Sequence, residues 1–554
     1  MNALAVVHSR ALLGLSAPAV SVEVHLANGL PAFNIVGLPE TSVRESRERV
    51  RAALLQSGLD FPNRRITVNL APADLPKESG RFDLPIAIGI AAAAGLIPPR
   101  ALQDTELVGE LSLSGELRPI RAALAVAAGV QASQPARTLI LPLDNLAEAC
   151  QSGLPSLYGA ATLADVIAQL QGEERLTPAT ALPALTTAPV TLADALPDLA
   201  DVQGQTLARR ALEIAASGLH PLLLSGSPGT GKSMLAHRLP GLLPALSAAE
   251  ALESAAIHSA SGRPAPAGAT PPFRSPHHSI TMAALAGGGQ PPRPGEISLA
   301  HAGVLFLDEL PEFRRAVIET LREPLENGHI TLSRGGTSET FPARFLLVAA
   351  MNPCPCGNLG DPARPCRCTP AQIRRYQARL SGPLLERFDL GIEMIRETHN
   401  SQAPADRIDD GPMVMAATAC TAETVPRARR RRPAQRSEAP PTRPATPPES
   451  SAVVAQRVRL ARQRQIERQG CCNAQLPANR FEQCLQLADE ARPLLQQASE
   501  RFGWSWRSQH KVLRVARTIA DLAARTTIDP AHLAEAMALR RPLDHLASPP
   551  PIDA

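Results

Sequence analysis

The sequence predicts an α/β fold in several modules: a phosphate-loop α/β module at the centre, an α+β module before it and an all-helical module after it. Three observations predict this. Leu222-Leu-Leu-Ser runs as a buried strand into Gly226-Ser227-Pro228-Gly229-Thr230-Gly231-Lys232-Ser233, a complete G-x-x-x-x-G-K-S loop, and then into a helix over 234–239. Val304-Leu-Phe-Leu is a second continuous apolar run. It ends in Asp308 and Glu309, as a buried parallel strand does when it delivers acids at its carboxyl edge. On either side the pattern changes: short alternating strands and apolar helices come first, and only helical spacing follows residue 451.

Composition sets the limits. At 554 residues the chain is too long for one core, and at roughly 150 residues per domain it divides into about three or four modules. The net charge of +4 carries no global nucleic-acid signature, so any basic surface must be local. The amino terminus has no basic head followed by a long apolar run, which argues against a signal peptide. The most apolar stretch, 84–98, is bounded by prolines and too short to span a bilayer, so it reads as a buried helix and no membrane partner is expected. Nine cysteines, four of them clustered, suit a reducing cytoplasm and a metal site better than disulfides.

Residues 1–171 form the first module. Residues 19–26 alternate like a half-buried strand, and 33–37 and 66–70 read as two more. Between them 40–57 has helical spacing, with Val43, Val50 and Leu54 facing inward. Arg44, Arg47, Arg49 and Arg51 point elsewhere, as a solvated face or a DNA-contacting one. Residues 107–120 read as a hairpin turning at Ser114-Gly115. Pro76-Lys-Glu-Ser-Gly and Gly109-Glu-Leu-Ser-Leu-Ser-Gly-Glu-Leu-Arg-Pro-Ile make this module resemble the proteolytic domain of Lon protease. That resemblance places a nucleophilic serine near Phe82 and its lysine near Leu124, yet no lysine lies between 78 and 231. A serine–lysine dyad needs an amine to accept the serine proton, and Ser79 would have none. The module therefore reads as a scaffold or binding unit, the role a similar domain has in the recombination ATPase RadA.

Residues 172–197, rich in Pro, Ala and Thr, read as a linker, and 198–394 as the nucleotide module. The loop glycines let backbone N–H groups turn toward phosphate oxygens. Lys232 adds a point charge there, and Ser233 offers a hydroxyl to Mg²⁺. Asp308 would hold the same magnesium through its water shell, and Glu309 would polarise the attacking water. Residues 345–352 form a third apolar strand whose terminal amide, Asn352, can orient that water. Arg387, following Ser381-Gly-Pro-Leu-Leu-Glu, can serve a neighbour's site as an arginine finger if the chains form a ring. On the late amphipathic helix, Arg507 or Arg514 would sense nucleotide state, with Arg507 preferred. By resemblance to AAA+ ATPases, 201–205 would lie near the adenine.

Two insertions stand out. One spans 273–289 and 294–303. Its paired His277 and His278 are adjacent on an extended segment, which argues against a shared metal. The other, 328–341, reads as a hairpin with Arg334 at its turn, the best candidate for a phosphate-backbone contact. Cys354-x-Cys356-x9-Cys366-x-Cys368 offers four thiolates on two short turns, a structural Zn²⁺ pattern. Residues 395–450 are Pro/Arg-rich and disordered by composition, with the run Arg429–Arg432, and 451–548 is all-helical. On the 451–470 helix, Val453, Val458 and Leu460 mark the inner side.

Together these motifs resemble the Mg-chelatase-like AAA+ family called YifB, over nearly the whole chain outside 395–450. The resemblance implies a Lon-like module, a motor with Mg-chelatase/MCM-type insertions, and a helical lid. It also implies ATP and Mg²⁺ as cofactors and a hexameric homo-oligomer acting on single-stranded or branched DNA, promoting branch migration in natural transformation. A magnesium-chelatase-type metal-insertion ATPase is the first rival, although this chain supplies no integrin-like or porphyrin-binding subunit. A Lon-type protease is the second, disfavoured by the absent lysine.

Overall fold

A computed structural model of the chain describes residues 4–37, 43, 45–77, 80–181, 196–264, 266, 268–334, 337–396 and 448–547. Ser79, most of the expected linker and the Pro/Arg-rich stretch with Arg429–Arg432 lie outside these residues.

The first module is built on an eight-stranded mixed sheet. From edge to edge the strands are Thr177–Pro178, Leu157–Ala160, Thr138–Pro142, Thr105–Leu107, Leu4–Arg10, Ala19–Ala27, Arg65–Ala71 and Ala32–Val36. The helix Asp83–Ala93, buried almost throughout as its composition requires, lies on this sheet, with the helix Ser46–Gln56 beside it. Val43, Val50 and Leu54 all point inward. Two of the helix arginines are structural. Arg49 grips the buried Asp83 through Nε–Oδ2 at 2.6 Å and Nη2–Oδ1 at 3.1 Å, and Arg51 lies 5.6 Å above the Phe61 ring. Two expectations change. The hairpin is confined to Glu110–Leu111 and Leu117–Arg118, because Leu107 belongs to the main sheet. The stretch read as an unpatterned linker begins with a strand, Thr177 pairing with Gly159 and Pro178 with Tyr158.

Phe82 and Leu124, the positions where a Lon-type dyad would stand, have no exposed surface. The Leu124 N–H donates to Glu148 Oε1 at 3.3 Å, and that carboxylate also accepts from the Ser259 hydroxyl. The Ala122 N–H donates to Ser259 O at 3.3 Å. Ser259 lies on the helix Ala248–Ser261 of the next module, so the two modules meet beside Leu124.

The second module carries five parallel strands in the order Phe273–Arg274, Val304–Leu307, Leu346–Met351, Leu222–Gly226, Leu390–Met394. The loop-bearing strand is thus an interior one, between Leu346–Met351 and the edge strand Leu390–Met394, and its three leucines are buried because helices cover both faces. The helix Pro530–Ala547 packs on the edge strand Leu390–Met394, so closely that a Cβ on Gly391 would stand 2.8 Å from Leu543 Cγ. The helices Ser451–Gln469 and Trp506–Leu522 pack on Thr206–Gly218 and share its hydrophobic core. The inner face of Ser451–Gln469 is Val454, Val458, Ala461 and Gln465; Val453 and Leu460, read as inward, are exposed. Among the described residues no helix is long and apolar enough to cross a membrane.

One buried polar knot ties helix to sheet. Asp389 Oδ2 meets His220 Nδ1 at 2.8 Å, Asp389 Oδ1 meets Lys511 Nζ at 3.0 Å, and His220 Nε2 meets Thr518 Oγ1 at 2.7 Å. Burial alone would raise the Asp389 carboxyl, but Lys511 and His220 outweigh it and hold it well below the usual carboxylate range. A carboxyl lowered by folding stabilises above its unfolded pKa of about 3.9, and that contribution is lost as pH falls through the folded value. Asp389→Asn strands a buried ammonium and is expected to cost about 3–5 kcal/mol at neutral pH, read as a lower denaturant midpoint for the helical module. The deficit should begin to shrink as pH falls below the unfolded value of about 3.9 and close only well below it, where the native carboxylate protonates too.

Candidate nucleotide site

The site grows from the end of the strand Leu222–Gly226. Gly231 adopts φ +90°, a left-handed conformation that glycine takes without strain, and the turn it makes opens the helix Lys232–Ala236. Lys232 is folded back into the loop. Its Nζ donates to Gly226 O at 2.6 Å, to Ser227 O at 3.0 Å and to Asn352 Oδ1 at 3.2 Å. Burial lowers its pKa, against the pull of Asp308 and Glu309. The ammonium of Lys232 thus joins Gly226, at the end of one strand, to Asn352, just past the end of its neighbour.

The neighbouring strand supplies the acids. The Ser233 hydroxyl donates to Asp308 Oδ2 at 2.6 Å, and the Glu309 N–H donates to Asp308 Oδ1 at 2.9 Å. Glu309 has φ +52°, a conformation that costs a non-glycine residue on the order of 1 kcal/mol or more. It turns the carboxylate outward, 54% exposed, rather than into the loop. A hydroxyl and a carboxylate already paired, beside an ammonium on loop carbonyls, fit a magnesium nucleotide: Ser233 and Asp308 would hold the cation, and Lys232 would neutralise the outer phosphates.

The arginines lie elsewhere. Arg387 precedes the strand Leu390–Met394 and forms an ion pair with Glu326 of the same chain. Lys511, one turn beyond Arg507 on the helix Trp506–Leu522, donates to the Glu386 and Phe388 carbonyls, so this helix runs past the amino ends of the strands. Arg507 is exposed there. Arg514 is instead engaged within the helical module, bonded to Leu476 O and 5.0 Å above the Phe481 ring. Each strand spans about 3.3 Å per residue, so some 15 Å of sheet separates these arginines from their own phosphate loop. Asp201, in the stretch expected near the adenine, pairs with Arg238 at 3.3 Å, and Val202 is buried.

The four cysteines converge, with all four sulfurs within 4.8 Å of one another. Cys354–Cys356, Cys354–Cys366 and Cys356–Cys366 stand at 3.4, 3.7 and 3.7 Å. A zinc tetrathiolate with Zn–S near 2.3 Å has sulfurs about 3.8 Å apart, whereas a disulfide is about 2.05 Å long. The second insertion is a hairpin, His329–Arg334 with Thr337–Pro342. Ile330 and Phe341 face its base, while Thr331, Thr340, Ser333 and Ser338 pair on its exposed side. Arg334 ends its first strand opposite Thr337, and the arginine side chain lies outside the described residues.

Known proteins match along the whole chain. The model of magnesium chelatase subunit ChlI matches residues 198–402, that of subunit ChlI of Mg-chelatase matches 22–145, and that of the ChlI C-terminal region matches 448–540. The competence protein ComM of Haemophilus influenzae is 44% identical over 97% of both chains, and YifB of Escherichia coli is 44% identical with the same coverage. The chain belongs to the YifB/ComM family of Mg-chelatase-like proteins. Likeness to the magnesium-chelatase 38 kDa subunit of Cereibacter sphaeroides is narrower: 28% identity over 35% of this chain and 57% of that one.

YifB/ComM membership makes the chain an AAA+-type ATPase, and it leaves several residues near the site for the structure to pick out. His278 Nδ1 stands 3.5 Å from Glu309 Oε2, and its ring lies side by side with that of His277, centroids 4.0 Å apart. The two rings do not point to opposite faces as strict strand alternation implies, because this segment forms no strand. Asp361 and Arg396, beside the phosphate loop, also carried no sequence signal. Each is a lone charge brought in from a distant stretch.

Proposed function

We propose that this chain is an ATP-driven DNA motor, working as a hexameric ring and promoting branch migration of recombining strands during natural transformation. The observation that carries the ring is the division of the site. Lys232, Ser233, Asp308, Glu309 and Asn352 gather at the carboxyl edge of the sheet, and Arg387 and Arg507 lie at its amino edge. A subunit cannot bring the two sets together, but a neighbour docked edge to edge can. In this reading Lys232 neutralises the outer phosphates, and Ser233 and Asp308 hold Mg²⁺. Glu309 accepts the proton of the attacking water and Asn352 orients it. Arg387 of the next subunit then stabilises charge as the terminal phosphate leaves, with Arg507 sensing nucleotide from the same side. Cys354, Cys356, Cys366 and Cys368 hold a structural zinc.

DNA as the substrate rests on two supports: the similarity to a competence protein, and a hairpin whose exposed side is small and hydroxylated, with Arg334 at its end. Such a surface can follow a phosphate backbone without reading bases. ATP turnover and dissociation of a synthetic four-way junction by the purified chain test it together. The expected result is turnover that rises with single-stranded or branched DNA, and ATP-dependent junction dissociation. Turnover indifferent to every DNA form, with intact junctions, would reject the DNA reading and favour the metal-insertion alternative.

A further inference from the structure

The cysteine segment does more than follow the Asn352 strand; it doubles back over the phosphate loop. Gly357, between the second and third cysteines, has φ +80°, and a Cβ there would lie 2.6 Å from Pro228 Cδ. No other residue fits that approach without moving one of the two backbones. Four residues on, Asp361 has no exposed side-chain surface and lies beside the Ser227 hydroxyl, with Arg396 Nε 3.6 Å from its Oδ2. Arg396 completes the contact, its Nη2 donating to Pro228 O at 2.8 Å. At the root of the segment, Asn352 accepts from Lys232, and Gln377 Nε2 donates to Pro353 O at 3.1 Å. The arc 357–361 therefore presses on Ser227 and Pro228, and its two ends are the cysteine pairs.

We propose that zinc in this tetrathiolate is a brace for the phosphate loop, so that zinc occupancy sets nucleotide affinity. The inference rests on the zinc reading given above and adds the coupling. With the four sulfurs tied to one ion, the arc between Cys356 and Cys366 has a fixed span and holds Ser227 and Pro228 in their binding conformation. Without the ion the arc is an untied loop with two glycines and two prolines, and the phosphate loop must be ordered by the nucleotide itself, at a loss of affinity. Metal supply or attack on these thiolates would thereby act on ATP binding with no change in any residue that touches ATP.

The test measures zinc and nucleotide affinity separately on the full chain. Elemental mass spectrometry should find about one zinc per chain. Fluorescent ADP should then bind about tenfold more weakly after treatment with a zinc-selective chelator, and recover when zinc is restored. A Cys366→Ser/Cys368→Ser variant should lose zinc and show the same weakening with an unchanged circular dichroism spectrum. Arg396→Ala should keep its zinc and still bind ADP more weakly, because it cuts the contact between arc and loop. Wild-type protein free of zinc would refute the zinc reading itself. Stoichiometric zinc whose removal leaves ADP affinity unchanged would refute the brace alone.

Discussion

Glu309→Gln is expected to leave ATP bound and slow its hydrolysis by about 10²–10⁴-fold, the range set by loss of a general base. The site separates the two roles. In the proposed mechanism binding falls to Lys232, whose ammonium lies against Gly226 O and Ser227 O, and to the Ser233–Asp308 pair; Glu309 touches neither through its side chain. Its carboxylate is turned to the open side of the site by the left-handed backbone at φ +52°. Glutamine keeps the shape and removes only the basicity. Lys232→Ala should behave differently and lose affinity along with turnover. Fluorescent ATP binding and phosphate release, measured on both variants, check the contrast. Equal loss of binding in Glu309→Gln would make Glu309 a structural residue.

Arg387→Ala is expected to cost about 10³–10⁵-fold in turnover, as removal of an arginine finger does. The penalty to the fold should be slight, because its partner Glu326 is 43% exposed and can be solvated by water. The pairing with Glu326 also has a consequence for assembly: to reach a neighbour's phosphate, the guanidinium must exchange one carboxylate for another anion. Turnover per chain should therefore rise steeply with protein concentration as rings form, and in Arg387→Ala it should stay low at every concentration while sedimentation still reports the same assembly.

The phosphate loop and the acid pair were legible because their chemistry depends on spacing along the chain, and because strands buried on both faces are unbroken apolar runs, as in Leu222–Leu224 and Val304–Leu307. Legibility failed where polar groups are buried. The strand Leu4–Arg10 sits in the middle of its sheet, yet Ser9 and Arg10 look like surface residues in sequence. Arg10 is held inside by Glu106, through Nε–Oε2 at 2.7 Å, a partner 96 residues away. On the Ser451–Gln469 helix Val458 is buried as its spacing predicts, but Val453 and Leu460 stand one position off the inner face for a similar reason. Its inner face uses Ala461 and Gln465, and Gln465 Nε2 donates to Ser217 O at 3.2 Å on the helix beneath. The two edges of the proposed site, and the cysteine arc over the loop, depend on sheet order and on where a helix passes. Neither leaves a local pattern.

The central claim is that each ATP site is completed by a neighbouring subunit, and mixing two inactive variants tests it most directly. Glu309→Gln and Arg387→Ala chains, each nearly inert alone, are combined and assembled into rings, and phosphate release is followed. Where an Arg387→Ala subunit supplies the loop and acids and a Glu309→Gln subunit supplies the arginine, the junction between them holds a complete site. The account predicts turnover in the mixture far above either variant alone, highest near equal proportions. If hydrolysis in the mixture never exceeds the sum of the two separate variants, while mixed rings are present, the site is not shared and the account is wrong.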